Sequence, residues 1–197
     1  QLTPLLEAWL AEAPQFAPTP LLELPIWYAG EDLATVAAAC DLSVSEVITL
    51  HSGVEYRVGA IGFAPGFAYL SELDGRLALP RRSTPRTHVP AGSLAIAERQ
   101  TAIYPQASPG GWHLLGRCPW SLFDWQAAQP CRLALGDRVR FVPIDQPTYL
   151  AEGGALGVTS GGSTGRPKVL VHTRAGLQAH ADAVHERLAI DAASDRW

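Results

Sequence analysis

Three short runs in the middle of this chain combine residue types that suit the binding of a small molecule. In the first, segment 61–70, Phe63, Phe67 and Tyr69 lie around Pro65 and two glycines. Proline fixes its own φ and glycine permits backbone conformations that other residues resist, so the segment predicts a tight bend carrying aromatic side chains. Two interpretations remain open: the bend lines a pocket, or it is a kinked core strand whose rings pack inward.

The second run, segment 80–93, places Arg81, Arg82 and Arg86 among prolines, a composition too rigid for a helix. The planar guanidinium group donates paired hydrogen bonds that match a carboxylate or a phosphate. We therefore predict that these three arginines hold an anionic group of a small substrate.

The third run, segment 100–117, again sets aromatic residues, Tyr104 and Trp112, among glycine and proline. Their rings either stack on a substrate or are buried in the core. In the first case they would wall a cavity together with the aromatic residues of segment 61–70.

In this order and spacing, the three runs resemble the family that contains the B-type subunit of 5-oxoprolinase, the sporulation-kinase inhibitor subunit and allophanate hydrolase subunit 1, the family of carboxyltransferase subdomains C and D. The resemblance extends over residues 21–145. Glu98 and Ala102 depart from it, because the family usually has glycine at both positions. The matching segments are 62–70, 80–82, 85–86, 89–93, 108–117 and 135–141.

The resemblance implies a mainly β chain, with a cyclophilin-like β-barrel over residues 50–145 that follows the C-terminal part of a small α+β lobe over residues 1–49. The pattern after residue 54 agrees, since short apolar runs separated by proline and glycine are typical of a closed barrel. A strand is also predicted over residues 21–28. The barrel strand candidates are 54–61, 77–79, 93–97, 101–104, 112–117 and 138–142.

Helices are predicted mainly upstream of the barrel. Apolar residues recur at helical spacing over residues 3–12, and the proline-rich residues 14–20 form a linker. Downstream, Asp137 after Gly136 is predicted to shape a turn before the last barrel strand.

Two further helices are predicted from their N-terminal caps. Asp32 is expected to cap a helix that runs to about Cys40. Ser43, with Glu46 three residues later, forms a capping box for a second helix that ends near His51. His51 either has a capping or core role or contacts a ligand.

Composition excludes several classes of function. Fifteen basic and nineteen acidic residues leave a net charge of -4, so no nucleic-acid partner is expected. No apolar run reaches the length of a membrane span, so no membrane partner is expected. The three cysteines lack a C-x-x-C pair, which predicts reduced thiols, no metal site and a cytoplasmic location. The chain begins with Gln1 and contains no methionine, which suggests a fragment or a processed chain.

No nucleophile elbow, metalloprotease helix or paired-carboxylate motif is visible, so the catalytic residues stay unknown. The resemblance implies a non-autonomous subunit of an ATP-dependent amidohydrolase that converts 5-oxoproline to glutamate. Its partners would be a homologous second subunit and a third, lactam-hydrolase-type protein, and ATP would act at the level of the complex. Two alternatives stay open. One is a module that inhibits a sensor histidine kinase, and the other is the carboxyltransferase part of a urea carboxylase or allophanate-type system, whose biotin another domain would carry.

Residues 146–197 are predicted as a Gly/Ser-rich linker followed by a helix over residues 175–188. Within them, residues 157–173 resemble the phosphate-binding loop of adenylate-forming ligases, because consecutive Gly, Ser and Thr residues expose backbone amides and hydroxyls. The later motifs and the lid of those ligases have no counterpart, so no independent adenylation activity is expected. The residues that this resemblance implies in phosphate or ATP contact are Ser160, Ser163, Thr164 and Lys168.

Overall fold

The computed structural model describes Thr19, residues 21–160 and residues 168–173. The strands are β1 (Leu21–Ile26), β2 (Tyr56–Ile61), β3 (Ala68–Ser71), β4 (Arg86–Val89), β5 (Ser93–Ala97), β6 (Gln100–Ile103), β7 (Ser108–Gly110), β8 (His113–Arg117), β9 (Arg138–Pro143), β10 (Ala155–Ser160) and β11 (Lys168–Thr173). The helices are α1 (Leu33–Ala39), α2 (Val44–Ser52) and α3 (Gln146–Ala151), with a short 3-10 helix at Gly75–Leu77.

One seven-stranded sheet dominates the fold, in the order β1-β9-β2-β3-β6-β5-β8. β1 pairs in parallel with β9, and the other neighbours are antiparallel. Its two outer strands meet, because the backbone N–H groups of Trp27 and Arg117 each donate to the other residue's carbonyl at 2.9 Å. The sheet is therefore nearly closed, and the predicted mainly β, barrel-like fold is confirmed.

Helices α1 and α2 pack on this sheet with their apolar sides. Leu33, Val36 and Val47 are buried in the same core as the sheet residues Leu24 and Val139. Residues on both sides of the predicted boundary after residue 49 thus contribute to one sheet and one core.

The capping box at the start of α2 is confirmed. The Ser43 hydroxyl accepts from the Glu46 backbone N–H at 3.2 Å, and the Glu46 carboxylate accepts from the Ser43 N–H at 2.8 Å. Two N–H groups that a helix start leaves without an intrahelical partner are satisfied in this way.

Strand β5 separates two cores, because alternate residues of a strand point to opposite faces. Leu94 and Ile96 lie in the large core, whereas Ala95 and Ala97 lie in a second core. Ala102 of β6 pairs with Ala95 and belongs to the second core as well. These small side chains leave room above them for large aromatic rings.

One predicted strand, 77–79, is wrong. Residues Gly75–Leu77 form the 3-10 helix, whose first turn is held by a hydrogen bond from the Arg76 N–H to the Asp74 carboxylate at 2.9 Å. Only Leu79 makes a bridge, to Glu98. Strand β3 was predicted only under the kinked-strand interpretation of segment 61–70. Strands β4 and β7 were not predicted, because β4 is largely polar and Pro109 is a turn signal, and helix α3 was not predicted either.

Beyond β9, residues predicted as part of a linker include α3 and the hairpin strands β10 and β11, which pair from Ala155↔Thr173 to Ser160↔Lys168. The helices predicted over residues 3–12 and 175–188 lie outside the described residues.

Among the described residues, no single helix is both long and apolar enough to cross a lipid bilayer. Helices α1 and α2 together reach the length and apolar composition of a membrane span, but they meet at a bend of 95°.

Candidate functional site

Residues 62–67 of segment 61–70 form the tight loop between β2 and β3. The Gly62 N–H donates to the Phe67 carbonyl at 3.1 Å, and the Phe67 N–H donates to the Ala64 carbonyl at 3.0 Å. Phe63 and Gly66 both adopt left-handed backbone conformations, with φ of 71° and 77°. The bend predicted from glycine and proline is therefore present, with Pro65 exposed at its tip.

Aromatic residues of the first and third runs come together in the fold. The Phe67 ring centroid lies 4.8 to 6.0 Å from those of Tyr69, Tyr104 and Trp112, in tilted or T-shaped pairs. The Tyr69 and Trp112 centroids are 5.9 Å apart. We call these four residues the aromatic cluster. Phe67, Tyr104 and Trp112 are almost fully buried, which favours the core alternative for them. Phe63 lies at the edge of the cluster and is 65% exposed.

Two of the three predicted anion-binding arginines are paired with a carboxylate of the chain itself. Arg82 Nη1 donates to Asp32 Oδ1 at 2.9 Å, and Arg86 Nη2 donates to the same oxygen at 2.7 Å. Asp32 Oδ2 accepts from the Leu114 backbone N–H at 2.8 Å. We call Asp32, Arg82 and Arg86 the Asp32–arginine cluster.

The predicted capping role of Asp32 is wrong. Asp32 stands at the start of α1, but its side chain makes no capping hydrogen bond and is only 4% exposed as a residue. Burial alone would raise the pKa of its carboxyl group. The hydrogen bonds from Arg86 and Leu114 and the charges of both arginines outweigh burial, so the pKa is lowered. Sequence reasoning missed this role because the partners are 50 and 54 residues away.

The third arginine, Arg81, joins the arginine run to the aromatic cluster. Its guanidinium carbon lies 5.9 Å from the centroid of the Trp112 ring, which is cation–π distance. Substrate binding by Arg81, Arg82 and Arg86 stays a prediction.

Four buried polar side-chain atoms have no partner among the described residues. They are Arg82 Nε, Arg86 Nη1, Ser108 Oγ and His113 Nδ1. All four belong to two segments that lie side by side, since the Arg82 N–H donates to the Gly111 carbonyl at 2.8 Å and Arg86 pairs with Gly110. The seam between these segments therefore has hydrogen-bonding capacity that the described side chains do not use.

His51 has the core role. Its Nε2 lies 2.9 Å from Thr101 Oγ1 and its Nδ1 lies 2.8 Å from the Tyr28 hydroxyl, and its ring stacks on Phe141 at 4.9 Å. Because the Thr101 hydroxyl donates to the Ala95 carbonyl at 3.0 Å, Nε2 must carry the proton and Nδ1 must accept from Tyr28. Burial lowers the pKa of His51 to about 3, so the ring is neutral.

A cavity of about 750 Å³ lies beside the Asp32–arginine cluster. Glu31, whose carboxylate lies 3.4 Å from Arg86 Nη2, belongs to its wall. The other chemically notable lining residues are His88, Arg117, Cys118, Trp120 and Tyr149. None of the predicted site residues that the structure describes lines this cavity, although His88, Ala91 and Arg117 of its lining belong to the second and third runs.

The residues implied in phosphate contact are only partly described. Ser160 and Lys168 are paired across the ends of β10 and β11. Ser163 and Thr164 lie outside the described residues. Nor does the described part of the chain contain a group of three His, Cys, Asp or Glu side chains placed to hold a metal ion.

Residues 1–133 match the family model of the carboxyltransferase domain, subdomain C and D. The chain belongs to this family. The family predicted from the three runs is thus confirmed.

Two relatives in this family are named as the B-type subunit of 5-oxoprolinase. The chain is 49% identical over 142 residues to the protein of Escherichia coli O157:H7, covering 70% of this chain and 65% of the relative. It is 46% identical over 134 residues to the protein of Bacillus subtilis (strain 168), covering 66% of this chain and 56% of the relative. The chain therefore spans between 56% and 65% of the length of these two relatives.

Solved structures agree with the fold. A conserved uncharacterized protein from Pyrococcus horikoshii matches with a TM-score of 0.64 at 45% identity, over 66% of this chain and 61% of the other. The urea carboxylase of Kluyveromyces lactis matches with a TM-score of 0.54 over 94% of this chain and 20% of the other. At 17% identity, the second match shows a shared fold alone.

The two departures from the family pattern have different structural settings. Glu98 lies in the turn between β5 and β6 with φ of 53°, a left-handed conformation that favours glycine. Ala102 has no such strain and is fully buried in the second core.

Proposed function

We propose that this chain is part of a 5-oxoprolinase subunit of the B type, within an ATP-dependent enzyme that hydrolyses 5-oxoproline to glutamate. The observation that carries the proposal is the identity of 46% to 49% with three proteins that are named as this subunit. Identity at this level over 124 to 142 residues supports a common role within a complex.

In this proposal the chain does not act alone. It works in the cytoplasm with a homologous second subunit and a third, lactam-hydrolase-type protein, which together supply the groups that bind ATP and attack the ring. Hydrolysis adds water across the amide C–N bond of the lactam, and ATP hydrolysis drives the opening. The described residues fit a supporting role, because the aromatic cluster is packed in the second core and Arg82 and Arg86 are ion-paired with Asp32.

Reconstitution tests the proposal. The full chain is co-purified with the second subunit and the lactam-hydrolase-type protein of the same source, and glutamate and ADP are measured after addition of L-5-oxoproline. We expect glutamate formation that requires both ATP and this chain. Mixtures that lack the chain, or that contain a non-hydrolysable ATP analogue, are the controls.

A folded, assembled complex that forms no glutamate would contradict the proposal. The same preparation then separates the alternatives. Inhibition of autophosphorylation of a sensor histidine kinase would favour the regulatory module. Carboxylation of urea that depends on a biotinylated partner would favour carboxyl transfer, for which the present support is the shared fold alone.

A further inference from the structure

The cavity beside the Asp32–arginine cluster has the size of a small-molecule site. Its volume of about 750 Å³ falls within the range of roughly 300–1,000 Å³ that is usual for ligand pockets. Its walls come from separate parts of the chain: the turn before α1, strand β4, the end of β8 and the residues after α3. Side chains from these distant segments converge only in the folded protein.

Arg117 gives the cavity an available positive charge. Two other arginines near the cavity, Arg82 and Arg86, are already paired with Asp32. Among the described residues, no carboxylate oxygen lies within 4.0 Å of the Arg117 guanidinium, and its side chain makes no hydrogen bond. A partly buried arginine without a paired carboxylate is well suited to a ligand carboxylate, to which a guanidinium group can donate two parallel hydrogen bonds.

The position of Arg117 is fixed by the fold. Its backbone pairs with Trp27 at the point where the barrel closes. The Trp27 ring packs at 5.2 Å on the ring of Tyr149, which also lines the cavity. A binding group on a paired strand end is held more precisely than one on a loop.

The part of the wall that Trp120 forms is also held in place. Trp120 Nε1 donates to Glu152 Oε2 at 3.0 Å, and the Arg132 guanidinium lies 4.9 Å from the centroid of the Trp120 ring. The cavity therefore combines a fixed apolar ring with polar groups, among them Glu31 and His88.

The wall cysteine, Cys118, is only 4% exposed. Burial raises the pKa of the Cys118 thiol to about 11, so the thiol stays protonated and is a poor nucleophile. The cavity is thus suited to reversible binding.

We propose that this cavity binds a small organic carboxylate, with the Arg117 guanidinium as the group that holds the carboxylate. That the ligand is a cyclic amide acid such as 5-oxoproline rests on the proposed function. The proposal places the ligand carboxylate at Arg117 and not at the arginine run of segment 80–93, because Arg82 and Arg86 are already paired with Asp32 and Arg81 lies at the Trp112 ring.

Calorimetric titration of the full chain with L-5-oxoproline tests the proposal. 2-Pyrrolidinone, the same ring without the carboxylate, is the matched ligand control and should bind far more weakly.

Arg117→Gln should weaken binding of L-5-oxoproline about 10- to 100-fold, the usual effect of losing hydrogen bonds to a charged group. The affinity of Arg117→Lys for L-5-oxoproline should lie between those of the wild type and Arg117→Gln, because lysine keeps the charge without the paired geometry. Arg99→Gln, an exposed arginine outside the cavity, should bind as the wild type does.

A second variant tests the cavity without touching Arg117. Ala91 lines the cavity and is exposed, so Ala91→Leu should fold normally and weaken binding by narrowing the space. The proposal is overturned if the wild type binds no L-5-oxoproline, if both Arg117→Gln and Ala91→Leu bind it as the wild type does, or if affinity is lost in Arg81→Gln instead. Thermal unfolding of each variant controls for folding.

The ligand-binding proposal for the cavity and the proposed function can be contradicted independently of each other. Arg117-dependent binding in a complex that forms no glutamate would support the cavity and overturn the proposed function. Glutamate formation with an unchanged KM for L-5-oxoproline in the Arg117→Gln complex would overturn the cavity and support the proposed function.

Discussion

At the scale of single residues, Asp32 decides what the arginine run can do. A buried carboxylate accepts one hydrogen bond each from Arg82 and Arg86 and a third from the Leu114 N–H. The Arg82 and Arg86 guanidinium groups, for which the sequence indicates no partner, are therefore bound by a carboxylate of the chain itself. Removing one partner of such a buried ion pair leaves the other charges uncompensated, which is strongly destabilising.

We therefore expect Asp32→Asn to lower the free energy of unfolding by about 3 kcal/mol, measured by urea denaturation at neutral pH. Glu31→Gln is the matched control. The Glu31 carboxylate is mostly exposed and lies farther from Arg86, at 3.4 Å, so its loss should change stability by no more than about 0.5 kcal/mol. Equal effects of the two substitutions would contradict the structural role of Asp32.

At the scale of elements, the loop between β2 and β3 needs glycine at one of its two positions only. Gly66 has φ of 77°, and a Cβ atom there would lie 2.7 Å from Phe123 Cβ. Gly62 lacks a left-handed φ, and a Cβ atom there would have no atom within 4 Å. The sequence does not distinguish the two glycines, but in the fold only Gly66 has a left-handed φ and a close neighbour.

Gly66→Ala should accordingly destabilise the protein by about 2 kcal/mol, through backbone strain and the clash with Phe123. Gly62→Ala should be neutral or stabilise by up to about 1 kcal/mol, because alanine restricts the unfolded chain. Thermal unfolding of the two variants side by side measures the difference. If Gly62→Ala lowered stability by the same amount, Gly62 would have to adopt a conformation that favours glycine or lack space for a Cβ atom.

At the scale of the whole molecule, His51 ties α2 to the sheet. Its hydrogen bonds reach Tyr28 and Thr101 and its ring stacks on Phe141, so it contacts residues near β1 and in β6 and β9. Its protonation state is therefore coupled to the stability of the entire fold.

Because burial lowers the pKa of His51 to about 3, the unfolded chain, with a histidine pKa of about 6.5, binds a proton that the folded chain does not bind between these values. The free energy of unfolding should then fall as the pH is lowered from about 6.5 towards 3. Between pH 6.5 and 5 the slope should approach about 1.4 kcal/mol per pH unit.

His51→Gln is the test variant, since glutamine is polar and does not titrate. Its urea-unfolding midpoints between pH 6.5 and 5 should lose most of the pH dependence seen in the wild type. A wild type whose stability is level across this interval would show that His51 is not buried and neutral.

Several features followed from sequence alone because they depend on neighbouring residues. The capping box of Ser43 and Glu46, the bend of segment 61–70 and the short barrel strands are set by local hydrogen bonds, backbone preferences and apolar periodicity. The three runs also identified the family, since their order and spacing carry its pattern.

Tertiary structure alone decided the partners of the functional side chains. The pairing of Asp32 with Arg82 and Arg86, the burial of His51 and the convergence of Glu31, His88 and Arg117 on one cavity each join residues that are tens of positions apart. Closure of the barrel at Trp27 and Arg117 brings these segments together. Local preferences contain no information about such contacts, because burial and charge pairing depend on which distant segment packs alongside.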